Sequence, residues 1–206
     1  MNISDADISL YFMDWHGHLL SHDPMRDIFS LMPFTPGLLP HLTTKVPSPR
    51  SLPAEVRFIK HTSMPKPFPT CSMVDAEDGY VALFFPHRQR YLTCLPAPEQ
   101  HEQAPIRAEF VQGWEKLIPF TATALRGLSL LMLPQRCAIT SEHGSIIAPL
   151  TINPRSNIGL MDTHNIYTSK NINTFEDIGN LQLGDYKEIS LNTLDGTDKK
   201  FYVKIL

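Results

Sequence analysis

The sequence predicts an α+β protein: an antiparallel β-sheet with N-terminal and central helices and a proline-rich wrapping segment. Three observations carry this expectation. Apolar residues recur at three- and four-residue spacing near the N-terminus and again behind Pro105. Asp-Gly corners at 78–79 and 195–196 separate apolar runs, the pattern of a β-hairpin. Six prolines between residues 33 and 53 exclude a continuous helix or central strand there.

Within residues 5–20, Ile8, Tyr11, Phe12, Trp15 and Leu19 fall on one helical face, with Ser4 as cap and Asp7 in the first turn. Leu10, Met13 and Leu20 lie off that stripe. They widen the apolar surface beyond what one core contact needs, so these three are the expected partner-binding residues. Asp23-Pro24 opens a second helix through Met25, Ile28, Phe29 and Met32, which Pro33 ends.

The N-terminal region also contains Asp14-Trp15-His16-Gly17-His18, with three proton-handling side chains at every second residue. As the end of a strand over 7–14, alternation would put Asp14, His16 and His18 on one side, a donor set suited to zinc. The run resembles the Asp-x-His-x-His motif of metal-dependent amidohydrolases, whose two histidines at the end of the first barrel strand bind metal. That resemblance implies a small metal-dependent hydrolase, the alternative to a binding function. It covers five residues, and the strand and helix alternation of a (β/α)₈ barrel, a fold of roughly 250 residues, does not follow it. The helical reading fits the apolar spacing better, and there His18 and His22 share a face without a His-Glu-x-x-His pattern. His143 and His164 are the further histidines a metal site would draw on; Met161-Asp162-Thr163-His164 echoes Met13-Asp14-Trp15-His16.

The proline-rich strap covers 33–69, and its leucines Leu38, Leu39, Leu42 and Leu52 argue that it lies on a core or a partner. A strand is expected over 55–61, then a meander of 71–75, 80–85 and 90–95. The basic connector His87-Arg88-Gln89-Arg90 reads as a solvated turn. Ile106, Phe110, Val111, Trp114, Leu117 and Ile118 predict a helix, and Thr121 caps another through Leu133. Ser129 lacks the second glycine of a Gly-x-Ser-x-Gly elbow and is not a nucleophile on this pattern.

All but one asparagine lie from Asn153 onward and no proline follows Pro154, which divides the chain into residues 1–153 and a β-rich subdomain at 154–206. Residues 137–140 and 146–152 predict one hairpin. Ile189 and Leu191, with Phe201, Val203 and Ile205, predict another around 194–198.

Eighteen Lys and Arg against twenty-one Asp and Glu leave a net charge of -3, which disfavours nucleic acid as a partner. The first seven residues carry two acids and no base, unlike a signal peptide, and no apolar run reaches spanning length. A cytoplasmic location without direct membrane insertion is expected. Cys71, Cys94 and Cys137 are odd in number and far apart, and read as reduced structural thiols. No catalytic, metal or nucleotide-cofactor constellation stands out. The expected function is therefore a protein-binding or adaptor module, an accessory subunit of a multi-subunit assembly, one of secretion type included.

Overall fold

The computed structural model describes residues 8–23, 26, 28–38, 40, 44–46, 52–58, 70–95, 103–132, 137–141, 151–152, 159–161, 166–168, 172–193 and 198–206. The chain forms two compact units, one of Met1–Phe34 with Leu39–Thr121 and one of Thr35–Leu38 with Ala122–Leu206.

The first unit is built from β1 (Ile8–Asp14), β2 (His18–Asp23), β3 (Ile28–Pro33), β4 (Thr44–Val46), β5 (Ala54–Phe58), β6 (Cys71–Asp75), β7 (Val81–Phe85), β8 (Arg90–Leu92), β9 (Ile106–Ala108) and β10 (Leu117–Phe120), with a 3₁₀ turn at Gly113–Glu115. The strands pair in the order β3-β2-β1-β4-β5-β6-β7-β8-β9, and β10 joins β1 to β7. The path β1-β4-β5-β6-β7-β10 therefore returns to its start, antiparallel at every step. Each strand of the circuit thus has a neighbour on both sides, while β3 and β9, outside it, end the strand order.

Each strand of the circuit sends side chains into one apolar interior: Leu10 and Phe12, Val46, Val56, Met73, Leu83 and Phe85, and Leu117. Cys71 and Cys94 belong to the same interior as small buried thiols. On the other side of β6 and β7 a smaller cluster gathers Ala76, Tyr80 and Ala82, with Val74, Tyr91, Val111 and Ile118 packed against it.

The expected N-terminal and central helices are absent from this unit, which corrects the α+β expectation to a mainly antiparallel β architecture. Residues 8–14 form a strand buried on both faces: Leu10 and Phe12 enter the interior, while Tyr11 and Met13 are covered on the opposite side. A strand apolar on both faces has no period of two to read, and its unbroken run satisfies helical spacing by default. The segment expected to be a second helix is β3, where Phe29 and Leu31 are buried and Ser30 is not. The stripe from Ile106 to Ile118 is divided into β9, the 3₁₀ turn and β10.

Part of the proline-rich strap is structural. Thr44–Val46 fits between Pro40 and Pro47 as β4, a three-residue strand pairing β1 on one side and β5 on the other. The Thr44 hydroxyl donates to the Leu10 carbonyl at 2.7 Å. The expected meander is present as β6, β7 and β8 around the Ala76–Tyr80 turn, where Gly79 adopts φ +81°. Gln89 also takes a left-handed φ in the basic connector, and Arg90 pairs with Glu109 at 2.7 Å.

The second unit contains α1 (Ala122–Met132), β11 (Cys137–Ser141), β12 (Thr151–Ile152), β13 (Gly159–Met161), β14 (Ile166–Thr168), α2 (Ile172–Gly179), β15 (Tyr186–Thr193) and β16 (Asp198–Ile205). The helix expected after Thr121 is α1, and the closing hairpin is β15 with β16 in the register Ile189↔Phe201. Its turn, 194–197, lies outside the described residues. The strand at 137–141 pairs with β16, and β12 pairs with β13, in a six-stranded sheet β11-β16-β15-β14-β13-β12; residues 142–150 of the hairpin expected there lie outside the described residues.

The helices α1 and α2 meet backbone to backbone. A Cβ at Gly127 would fall inside contact distance of the Phe175 carbonyl, and one at Gly179 would meet the carbonyl of Thr123. Arg126 lies beside this crossing and donates to the Gly179 carbonyl. Gly127→Ala is expected to force the helices apart and destabilise the protein by about 1–3 kcal/mol, the usual cost of overpacking. Thermal melting checks this against Gly113→Ala, whose added methyl meets nothing within 4 Å.

Candidate functional site

The turn between β1 and β2 is organised by one carboxylate. Asp14 is 2% exposed, and its Oδ1 accepts the backbone N–H groups of His16 at 3.0 Å and His18 at 2.7 Å. Its Oδ2 lies 3.3 Å from His18 Nδ1. Aspartate suits this position because its short side chain bonds to the backbone two residues on. Gly17 adopts φ +85° and donates its N–H to the Asp14 carbonyl at 3.1 Å, so the chain reverses within the motif. Its carbonyl accepts from Phe34 N–H, tying the turn to the residue after β3.

This geometry pairs the Asp14 and His18 side chains and turns the His16 ring to Trp15 instead. Both Asp14 oxygens are engaged within the turn, and the His16 and His18 rings lie 6.3 Å apart between centroids. Among the described residues, no group of three His, Cys, Asp or Glu side chains is disposed to hold a metal ion. His143 and His164 lie outside the described residues. His22 is buried on β2 with its ring 5.2 Å from Phe29.

The hydrogen bond to Asp14 raises His18 above the usual histidine range; partial burial opposes this and the Asp14 charge adds to it. A second buried acid, Glu115, accepts Gln112 N–H at 2.9 Å and closes the 3₁₀ turn. Burial, followed by the charges of Asp14 and Glu115, pushes the Cys94 thiol well above its ordinary value. Burial does the same to Cys71. Thiols so held are poor nucleophiles. Ser129 donates to the Leu125 carbonyl one turn earlier at 2.9 Å, a contact internal to α1.

The residues expected to bind a partner are placed in the folded interior or beneath its outer cover: Leu10 is 6% exposed, Met13 2% and Leu20 1%. Their assignment rested on a helix, and on a strand Leu10 and Leu20 join the apolar interior. The exposed large side chains of this unit include Trp15 at 40%, Phe110 at 72% and Trp114 at 46%. Trp15 follows the Asp14↔Leu117 pair directly, and Trp114 stands in the 3₁₀ turn ahead of β10, so both lie at the same end of the β1 and β10 pairing. Phe110 lies between β9 and that turn. Reading these aromatics as a buried stripe hid them; the signal against it was Gln112-Gly113, which interrupts the stripe with a polar residue and a poor helix former. In the second unit Leu183, Tyr186 and Leu206 are exposed around the Gly184 N–H to Ile205 carbonyl bond of 2.9 Å.

No protein-family model matches the chain, and no curated protein matches it in sequence. No helix among the described residues is long and apolar enough to cross a membrane.

Two outcomes follow from the turn and its surroundings. Leu20→Asp places a charge among buried apolar side chains and is expected to abolish cooperative melting of the isolated protein, measured by circular dichroism. Asp14→Asn removes the charged acceptor of two turn N–H groups and is expected to cost about 1–3 kcal/mol. Because His18 is raised in the folded state, its contribution is fully present below the ordinary value of 6.5 and is lost as pH rises through the higher folded value. Denaturant titrations on either side of that window should show this dependence in the parent and lose it in Asp14→Asn.

Proposed function

We propose that this protein is a non-catalytic binding or adaptor module, a cytoplasmic accessory subunit that docks on other proteins of a larger assembly. The observation that carries the reading is the exposure of Trp15 and Trp114 at one end of the β1 and β10 pairing, with Phe110 exposed between β9 and the 3₁₀ turn and the Trp15 turn braced by a buried carboxylate. Large aromatic side chains are enriched in the energetic centres of protein interfaces, where they bury much area for few rotatable bonds. Rigidity of the Asp14 turn supports the same reading, since a side chain presented from a fixed backbone loses less entropy on association. The formal charge of -3 gives no general attraction to a phosphate backbone, which favours protein over nucleic acid as the partner.

The docking surface proposed here is the exposed aromatic set, in place of Leu10, Met13 and Leu20. Trp15→Ala and Trp114→Ala are each expected to weaken capture of a partner at least tenfold while shifting the melting temperature by only a few degrees, about the effect of a hot-spot truncation. Quantitative pull-down from the native cell, followed by titration of the captured protein, measures this. Undiminished capture by the Trp15→Ala, Trp114→Ala double variant overturns the proposed surface.

A further inference from the structure

The strand β3 ends the strand order of the first unit, and each of its residues from Ile28 to Pro33 pairs with β2. An antiparallel strand projects the N–H and C=O of one residue to the same side, alternately toward one neighbour and the other. Leu31 fixes the phase, because its N–H is donated to the Gln103 side-chain Oε1 at 3.4 Å, on the side away from β2. Phe29, Leu31 and Pro33 therefore turn their backbone groups to the outer edge, while Ile28, Ser30 and Met32 bond to β2. Pro33 agrees with this phase, since a strand tolerates a residue without an N–H where its nitrogen faces an edge.

Both sides of the Gln103 contact are fixed in position. Phe29 and Leu31 are buried in the apolar interior that also holds Leu92, Cys94 and Ala104. The Gln103 carbonyl accepts Leu95 N–H at 2.8 Å, and the Pro105 carbonyl accepts Thr93 N–H at 2.8 Å. One side-chain amide, in place of a backbone ladder, thus reaches from this segment to β3. Among the described residues no strand pairs with the outer edge.

We propose that the β3 edge is a self-complementary pairing surface for a second copy of this chain, and that the Gln103 amide is the cap that holds it shut. Two-fold antiparallel pairing about Leu31 suits the donors and acceptors present. The two Leu31 residues exchange N–H and C=O bonds in both directions, and each Phe29 N–H meets the Pro33 carbonyl of the other copy. Gln103 occupies the Leu31 donor at the centre of that pattern, so each copy must release its cap before the strands can pair. Blunting an exposed edge is how a monomer avoids edge-to-edge association, and a single displaceable amide makes the block reversible. This surface is separate from the aromatic set and stands whether or not that set binds a partner.

Sedimentation of the full chain over a concentration series tests the cap. Gln103→Met keeps the side-chain length and loses the acceptor; it is expected to dimerise at concentrations lower than the parent by at least about tenfold, the factor that corresponds to one net hydrogen bond. Gln103→Glu retains an acceptor and should behave as the parent. Ser30 and Met32 are half-buried on β3 and face each other across the proposed pairing. In the Gln103→Met background, Ser30→Lys with Met32→Lys should restore the monomer, and mixing that variant with its Ser30→Glu, Met32→Glu counterpart should give a mixed dimer. Equal association of the parent and Gln103→Met, or Gln103→Glu associating as Gln103→Met does, overturns the cap. Association that runs on beyond a dimer, or dimers indifferent to the charges at 30 and 32, overturns the pairing. Should Gln103→Met fail to fold, amide exchange in the parent decides: Phe29 N–H is expected to exchange faster than Leu31 N–H in dilute protein and to slow as concentration rises, and a Phe29 rate independent of concentration overturns the proposal.

Discussion

The hydrogen-bonding demand of β1 governs the first unit. Its seven residues pair with β2, β4 and β10. Among the described residues only β7, paired with β6, β8 and β10, reaches as many partners; in β1, Ile8–Leu10 meet β4 while Tyr11–Asp14 meet β10. Through these pairings β1 closes the circuit from β4 round to β10. It must therefore be apolar on both faces, which explains why Leu10 and Phe12 alternate with the equally buried Tyr11 and Met13. Every buried backbone group in such a strand needs a partner, and closure supplies them.

Where β1 ends, the chain turns back on itself, and Asp14 converts that reversal into a fixed surface feature. A carboxylate with 1% side-chain exposure is costly unless its oxygens are satisfied. Two backbone N–H groups and the His18 ring satisfy them. The same bonds hold Trp15 and His16 at the tip, outside the apolar interior. An apolar core and an exposed aromatic residue thus adjoin in sequence without competing for the same space. Across β10, Glu115 performs a related task for the turn that carries Trp114, accepting the Gln112 N–H.

The second unit depends on a different constraint. Its helices approach closely enough that Gly127 and Gly179 leave no room for a methyl group, and backbone contact replaces side-chain interdigitation there. Phe175 and Ile178 of α2 are nonetheless buried, as are Leu125, Leu128 and Leu131 of α1. Apolar burial on these faces holds the pair, while the glycines set how near the axes come.

Some of this was legible in the chain alone. The meander at 71–92, the closing hairpin and α1 each carry their own instructions: an Asp-Gly corner, clean alternation as in Phe201, Val203 and Ile205, or a leucine stripe after a capping threonine. In the meander and the closing hairpin the partner strand and the turn lie close in sequence. The character of β1 was not legible, because a strand covered on both sides loses the alternation that distinguishes it from a helix. Nor was β4, whose three residues become a strand only when β1 and β5 supply its hydrogen bonds. The motif Asp14-Trp15-His16-Gly17-His18 was visible as a grouping of residue types, but the reversal at Gly17 made it a braced turn with both Asp14 oxygens engaged. The sequence by itself determined the local hairpins and helix α1; only tertiary pairing decided that Leu10, Met13 and Leu20 are buried while Trp15, Phe110 and Trp114 face solvent, because burial depends on which distant strands cover each face.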